Sequence, residues 1–320
     1  MGTVLVLVTT ADGVVEEVSL QALAFGRGLA AGGDVHALLI GDEAAAGGLG
    51  DWGASKVHVA RHAALDEVAP DAWARVVHDL AAVLGANAVV GPGTEQGNTI
   101  LARAAARAGL PFAANCTNAT AGNPVMVTRV RWGGSLLEDA AVHADRAMLT
   151  VAPHSVAATQ TGGTAAVETF TPELDEADLA VRVVERIPAA KGGISLTEAK
   201  VIVSGGRGVG SEAGFAPVVE LAGLLGAAVG CSRAVTISGW RSHTDQVGQT
   251  GTKIAPDLYI ACGISGATQH MAGCKASKKI LAINKDPDAP ILAAADYAVI
   301  GDLHQVLPAI SAEIRRVRGA

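Results

Sequence analysis

The sequence predicts an α/β protein of two domains, each built on a mainly parallel, doubly wound sheet. Three observations lead there. Short apolar runs alternate with helix-length amphipathic stretches along most of the chain. Many of those runs are aliphatic at nearly every position, as expected of strands buried on both faces. At 320 residues the chain is long for one core, and with half of its residues apolar it has material for two. Aromatic residues are only 3% of the chain, which suits thin, closely packed helix–sheet layers.

Taken in order, Val4–Val8 is a strand closed by Thr9-Thr10. Ser19 then begins a helix with Leu20, Leu23, Ala24 and Leu29 on one face. Val35–Ile40 is the next strand, turning at Gly41-Asp42, and Lys56–Ala60 a shorter one. Pro70 opens a helix whose apolar face is Trp73, Val76, Val77, Leu80 and Leu84, and Gly85 ends it. Ala88-Val89-Val90 is a strand, followed by a polar loop from Gly91 to Gly97 and a helix through Arg107. Residues 1–110 therefore form a parallel doubly wound sheet. The Gly91–Gly97 loop reads as a polar turn before a helix rather than an anion site, because Glu95 would repel phosphate.

The pattern changes after Pro111. Val125–Val130, Leu136–His143 and Ala147–Val151 are strand-like with no helices between them, and Arg131-Trp132-Gly133-Gly134 has the residues of a hairpin turn. An antiparallel extension of the first sheet is expected. Residues 171–195 mix acidic residues with Pro172, Pro188 and Gly192-Gly193, which sets the domains at 1–188 and 189–320.

The second domain carries three strand-to-loop passages. Val201-Ile202-Val203 runs into a loop with Gly206, Gly208 and Gly210. Leu258–Cys262 runs into Gly263-Ile264-Ser265-Gly266-Ala267, and Ile280–Ile283 ends at Asn284-Lys285-Asp286. Tyr297–Ile300 and a final helix from Leu307 to Val317 follow. Loops at the carboxyl ends of parallel strands are where open α/β sheets bind ligands, so a cofactor with a diphosphate is expected there. The glycines do not meet the strict dinucleotide spacing, since position 211 is Ser and 213 is Ala.

Several classes are excluded. The net charge is −7 with no basic stripe, which argues against nucleic acid. No window approaches 18 unbroken apolar residues, and Met1-Gly2-Thr3-Val4 leads straight into a strand, so a cytoplasmic protein is expected. Cys116, Cys231, Cys262 and Cys274 form no C-x-x-C pair and no zinc spacing, and read as small buried thiols.

With Gly205-Gly206-Arg207-Gly208, Ser232-Arg233, QVGQTG at 246–251, GISGATQH at 263–270 and INKD at 283–286, the chain resembles the alpha subunit of electron-transfer flavoproteins. The resemblance is close over residues 199–315 and looser before, with LARAAARAGLP at 101–111 the best local match. It implies that residues 189–320 form a Rossmann-like FAD-binding domain. It further implies a heterodimer with a beta subunit, electrons received from flavoprotein dehydrogenases of the acyl-CoA dehydrogenase type, and delivery to a quinone oxidoreductase. On this reading the chain is a carrier, not an enzyme with its own substrate. Alternatives are a bifurcating member that oxidises NADH and, in another class, an NAD-binding enzyme with a similar domain. A flavin-free binding module is a third.

The resemblance also assigns residues. His270 would donate towards the flavin O2, and Arg233, beside Ser232, would lie over the ring where its charge favours the reduced state. Arg207 would reach the diphosphate or ring. Thr250 would set a hydroxyl near N5, with Gln246, Val247, Gly248 and Gln249 along that edge. Ser265 and Gly266 would offer amides to the diphosphate, with Ala267, Thr268 and Gln269 beside them. Asn284, Asp302 and Leu303 would hold the ribityl or adenosine part. The family commonly has an acidic residue and then a proline between Arg233 and Gln246, where this chain has Ile237 and Arg241-Ser242-His243-Thr244. The lysine that often follows the QTG glycine is displaced by one, to Lys253.

Overall fold

The computed structural model describes residues 2–134, 136–183 and 194–319. The chain divides into two compact units, 1–186 and 187–320. The boundary expected at 188/189 lies outside the described residues. Among the described residues, no helix is long and apolar enough to cross a membrane.

The first unit runs β1 (Val4–Val8), a small hairpin of β2 (Thr10–Ala11) and β3 (Val14–Val15), α1 (Glu17–Ala30), β4 (Val35–Ile40), β5 (Lys56–Ala60), α2 (Pro70–Val83), β6 (Ala88–Pro92) and α3 (Glu95–Ala108). It continues through β7 (Phe112–Thr120), β8 (Val125–Arg131), β9 (Leu136–Val142), β10 (Ala147–Val151) and β11 (Ala166–Phe170). One sheet joins all but the hairpin, in the order β11-β5-β4-β1-β6-β10-β7-β8-β9. Strict alternation fills both its faces: Val4, Val6 and Val8 enter one core, and Leu5 and Leu7 the other.

The antiparallel extension consists of β8 and β9 at one edge. Ala147–Val151 does not belong to it, contrary to expectation. This strand inserts between β6 and β7, parallel to both, because all five of its residues are buried and suit only a central position. Two strands carried no apolar run to announce them. β7 includes Asn115, Thr117 and Asn118, and β11 is a mostly exposed edge strand parallel to β5.

The second unit runs β12 (Val201–Gly205), α4 (Ala216–Leu225), β13 (Ala228–Cys231), α5 (Arg233–Ile237), β14 (Leu258–Cys262), α6 (Thr268–Cys274), β15 (Ile280–Asn284), α7 (Ile291–Ala294), β16 (Tyr297–Ile300) and α8 (Leu303–Arg318). Its sheet is parallel throughout, in the order β13-β12-β14-β15-β16. Ile202, Tyr259, Ala261 and Ala282 point to one core, and Val203, Ile260, Cys262 and Ile283 to the other. The final helix starts at Leu303, ahead of the expected Leu307, because the Asp302 carboxylate caps it by accepting from the His304 amide at 2.9 Å. The strand order reverses between β12 and β14, so their loops diverge and leave a crevice at their carboxyl ends.

Candidate functional site

A cleft of about 520 Å³ opens at that crevice, within the usual range for small-molecule and cofactor sites. Four strand ends feed it. After β12 come Arg207 and Gly208, and after β13 Ser232, Arg233 and Ala234. After β14 come Gly263, Ile264, Ser265 and Ala267, then Gln269 and His270 on α6. After β15 come Asn284, Lys285, Asp286 and Ala289, and residues 246–250 close one side.

The β12 and β14 loops meet backbone to backbone. A Cβ on Gly206 would stand 2.3 Å from the Gly263 carbonyl oxygen, and one on Gly208 2.7 Å from the Gly263 Cα. Only glycine allows that approach. The contact also occupies the amides: Gly206 donates to Cys262 O at 2.8 Å and Gly208 to Gly263 O at 3.0 Å. The amides of Ser265 and Gly266 have no hydrogen-bond acceptor among the described residues, and Gly266 turns there with φ at +85°. Two unpaired donors at a strand end form an anion-receptive concavity.

Side chains beyond the loops aim the remaining donors. Thr236 donates to Gln246 Oε1 at 2.7 Å, and Gln246 Nε2 donates to Thr250 Oγ1 at 3.0 Å. Since Thr250 accepts from within, its own proton is left for the cleft. Asn284 Nδ2 donates to Ile264 O at 2.9 Å, and its Oδ1 accepts from the Asp286 amide at 3.0 Å. That side chain therefore ties the β14 and β15 loops together. His270 is 7% exposed, and its Nε2 lies 2.8 Å from the Tyr259 hydroxyl. Burial, opposed only by the Val247 backbone, lowers its pKa to about 4, so the ring is neutral near pH 7. Arg207 and Arg233 are exposed and pair with no carboxylate among the described residues.

Of the residues expected from sequence, Arg207, Ser232, Arg233, Gln246, Val247, Gly248, Gln249, Thr250, Ser265, Ala267, Gln269, His270 and Asn284 share this cleft. Four fall outside its lining. Gly266 is buried against Ile291, Thr268 is exposed at the start of α6, Asp302 is the cap of α8, and Leu303 packs in the core against Gly263. Sequence reasoning missed Ser204, Thr236 and Tyr259, which stand behind the cleft. The signal for Tyr259 was present: a buried phenol in an aliphatic strand must have a partner. In the divergent segment, Ile237 is exposed, Arg241 pairs with Asp245 at 2.8 Å and lies over the Phe215 ring, and His243 is exposed.

Fold and site together define a cofactor-carrying α/β protein, with a cleft built of donors and positive charge. Residues 4–175 match the family model described as the electron transfer flavoprotein domain, and residues 195–275 match that of the electron transfer flavoprotein FAD-binding domain. The chain belongs to the electron transfer flavoprotein family, as an alpha subunit. It is 37% identical to the electron transfer flavoprotein subunit alpha of Bacillus subtilis over 98% of both chains, and 39% identical to that of Mycobacterium tuberculosis over the whole of both. Protein FixB of Clostridium saccharobutylicum is 38% identical over 97% of this chain and 95% of its own. Among solved structures, a thiamine diphosphate-dependent 4-hydroxybenzoylformate decarboxylase from Rhodococcus jostii RHA1 aligns at 12% identity with a TM-score of 0.26, over 93% of this chain and 54% of that one; a likeness this slight carries no argument.

The second unit is thus an FAD-binding domain, and the residues present fit the cofactor. The unpaired Ser265 and Gly266 amides suit a diphosphate, and the unpaired arginines suit an anionic ring or phosphate. The buried imidazole and the aimed Thr250 hydroxyl suit the polar edge of an isoalloxazine.

Proposed function

We propose that this chain is the FAD-holding half of a heterodimer that shuttles electrons in the cytoplasm. Its partner is a beta subunit, its donors are flavoprotein dehydrogenases of the acyl-CoA dehydrogenase type, and its acceptor is a quinone oxidoreductase. Bound FAD supplies reversible electron uptake. The chain's own residues hold and orient the cofactor. Arg233 sets positive charge beside the ring, His270 and Thr250 present donors to its edge, and Gln246 fixes Thr250. Ser265 and Gly266 receive the diphosphate, while Arg207 reaches towards it. Asn284 holds the cleft's far wall in register.

The observation that carries this reading is the cleft itself, where donors from four strand ends converge. The partner reading is supported by the hairpin of β8 and β9, which leaves Met126, Trp132, Leu136 and Leu137 exposed.

The test is to express the chain with and without a beta subunit and follow flavin absorption near about 450 nm. The pair should carry FAD and be reduced by an acyl-CoA dehydrogenase with its substrate, whereas the lone chain should lose FAD or precipitate. Direct reduction by NADH would instead identify a bifurcating member. A colourless chain that binds NAD would overturn the reading in favour of an enzyme.

A further inference from the structure

The strand that precedes the GISGATQH loop, β14, carries one hydroxyl-bearing side chain, Tyr259. Tyr259 is fully buried, and the only side chain its hydroxyl meets in good hydrogen-bond geometry among the described residues is His270, at 2.8 Å from Nε2. The two rings are tilted by 33° with centroids 6.1 Å apart, so the contact runs through the hydroxyl rather than by stacking. Ser204, on the neighbouring strand β12, is also fully buried and stands beside the phenol.

A neutral imidazole carries one proton, and the hydrogen bond at one nitrogen decides which nitrogen holds it. The polarity of the Tyr259–His270 bond follows from counting protons. Burial raises the Tyr259 pKa well above its ordinary value, so the phenol keeps its proton. The phenol's proton needs an acceptor, and the one side-chain atom it meets in good hydrogen-bond geometry among the described residues is Nε2 of His270, at 2.8 Å. Donation therefore runs from Tyr259 to Nε2 of His270. Nε2 is then an acceptor, and the imidazole proton must sit on Nδ1. The other side of the ring agrees. Nδ1 is buried and makes no hydrogen bond of good geometry, while the Val247 backbone lies near enough to favour a proton on the ring. His270 lines the cleft, so this N–H is available to a carbonyl acceptor placed there.

We propose that Tyr259 is a positioning residue that locks His270 as its Nδ1–H tautomer and so makes it a fixed donor to the carbonyl edge of the bound cofactor. The proposal rests on the FAD-site reading above and assigns the donor's identity within it. Without the phenol, the same imidazole would be free to present a lone pair towards the cofactor carbonyl, and the contact would turn repulsive.

The test is nitrogen-15 NMR of histidine side chains in the full chain, with and without FAD, alongside FAD titration by flavin fluorescence. In the native sequence, the His270 Nδ1 signal is expected at the protonated, pyrrole-type position and Nε2 at the pyridine-type position, in both states. Tyr259→Phe keeps the ring and should lose this single tautomer, with FAD affinity falling about three- to tenfold, the scale of one neutral hydrogen bond. A native His270 protonated at Nε2 while FAD still binds would overturn the proposal and leave the FAD site standing; a native chain that binds no FAD would overturn both. The native tautomer decides the matter even where Tyr259→Phe does not fold. A Tyr259→Phe variant that folds and leaves the tautomer and the affinity unchanged would also refute the idea.

Discussion

The two units offer the same crevice and treat it in opposite ways. In the first, the strand order turns between β1 and β6, and the polar groups at that rim are used on one another. The Thr9 amide donates to Ser19 Oγ at 2.9 Å, and its hydroxyl donates to Glu16 at 2.5 Å. Gly93 donates to Val151 O at 2.7 Å, and Thr94 accepts from the Gly97 amide at 3.0 Å. Thr150 accepts from the Asn115 amide and donates to Asn98. In the second unit the rim leaves the Ser265 and Gly266 amides and both arginines without protein partners among the described residues. Topology supplies a crevice in each case, and the second one leaves its donors unsatisfied.

Acidification acts on both units and should show how far they differ. Each buries one histidine whose pKa is lowered to about 4, His58 by burial and then by the nearby His36 and Lys56, and His270 by burial. Both lie below the ordinary 6.5, so between pH 6.5 and 4 the unfolded chain binds more protons than the folded one. Stability is therefore full above about pH 6.5 and falls towards pH 4, by up to about 3 kcal/mol for each histidine. Urea unfolding at stepped pH should show this loss, and saturating FAD should offset it in the second unit alone. A stability flat across that window would refute the assignment of both rings as neutral.

A backbone clash placed at each crevice separates packing from binding. A Cβ on Gly206 would meet Gly263 O at 2.3 Å, and one on Gly93 would meet Val151 O at 2.4 Å. Gly206→Ala and Gly93→Ala should each cost about 1–3 kcal/mol in urea unfolding. Only Gly206→Ala should also weaken FAD binding, by about tenfold or more, since that loop carries Arg207. Equal loss of FAD affinity in both variants would erase the distinction between the crevices.

How much of this was legible follows from the same contrast. Buried parallel strands announce themselves, so Val4–Val8, Val35–Ile40, Lys56–Ala60 and Leu258–Cys262 were read from sequence with the bounds they have in the fold. β11 was not, because an exposed edge strand needs no apolar run. β10 was read as a strand but misplaced, since sequence separation hides that a chain can leave for a hairpin and return to the middle of its sheet. In the site, glycine and polar loops located the rim, and family resemblance supplied the residues on it. Thr236 was invisible because it acts on the cleft residue Gln246 through a hydrogen bond, and hydrogen-bond partners distant in sequence leave no local pattern. The buried phenol of Tyr259 gave a signal, but nothing local named His270 as its partner.

Removing positive charge at the open rim should have a smaller and purely electrostatic effect. Arg233→Ala takes away an exposed, unpaired guanidinium that lines the cleft. Added negative charge on the ring is then less well compensated, so the flavin midpoint potential should fall. A solvent-screened charge of this kind is worth about 1 kcal/mol, or some tens of millivolts for one electron, and less at high salt. Spectroelectrochemistry on the FAD-loaded heterodimer measures it, and an unchanged or raised potential would remove Arg233 from the role. The matching change in the first unit, Arg107→Ala, should leave the potential alone, because Arg107 pairs with the buried Asp178 there.

The smallest expected effect tests whether the second rim is open by design of its supports. Thr236 does not line the cleft, yet its hydroxyl holds Gln246 Oε1 at 2.7 Å, and Gln246 in turn donates to Thr250 at 3.0 Å. The Thr236 proton is shared with Arg233 O at 2.9 Å, the longer of its two contacts. Thr236→Val preserves shape and removes that anchor, which frees the Gln246 amide to turn over and accept from Thr250 instead of donating to it. The Thr250 proton would then point inward, and the second rim would begin to satisfy itself as the first one does. FAD affinity should fall by about two- to fivefold, the lower range for one hydrogen bond, with global stability changed by less than about 1 kcal/mol. Thr236→Ser, which keeps the hydroxyl, should restore the affinity; failure of that rescue would mean that Thr236 matters for packing and not for the direction of the Thr250 proton.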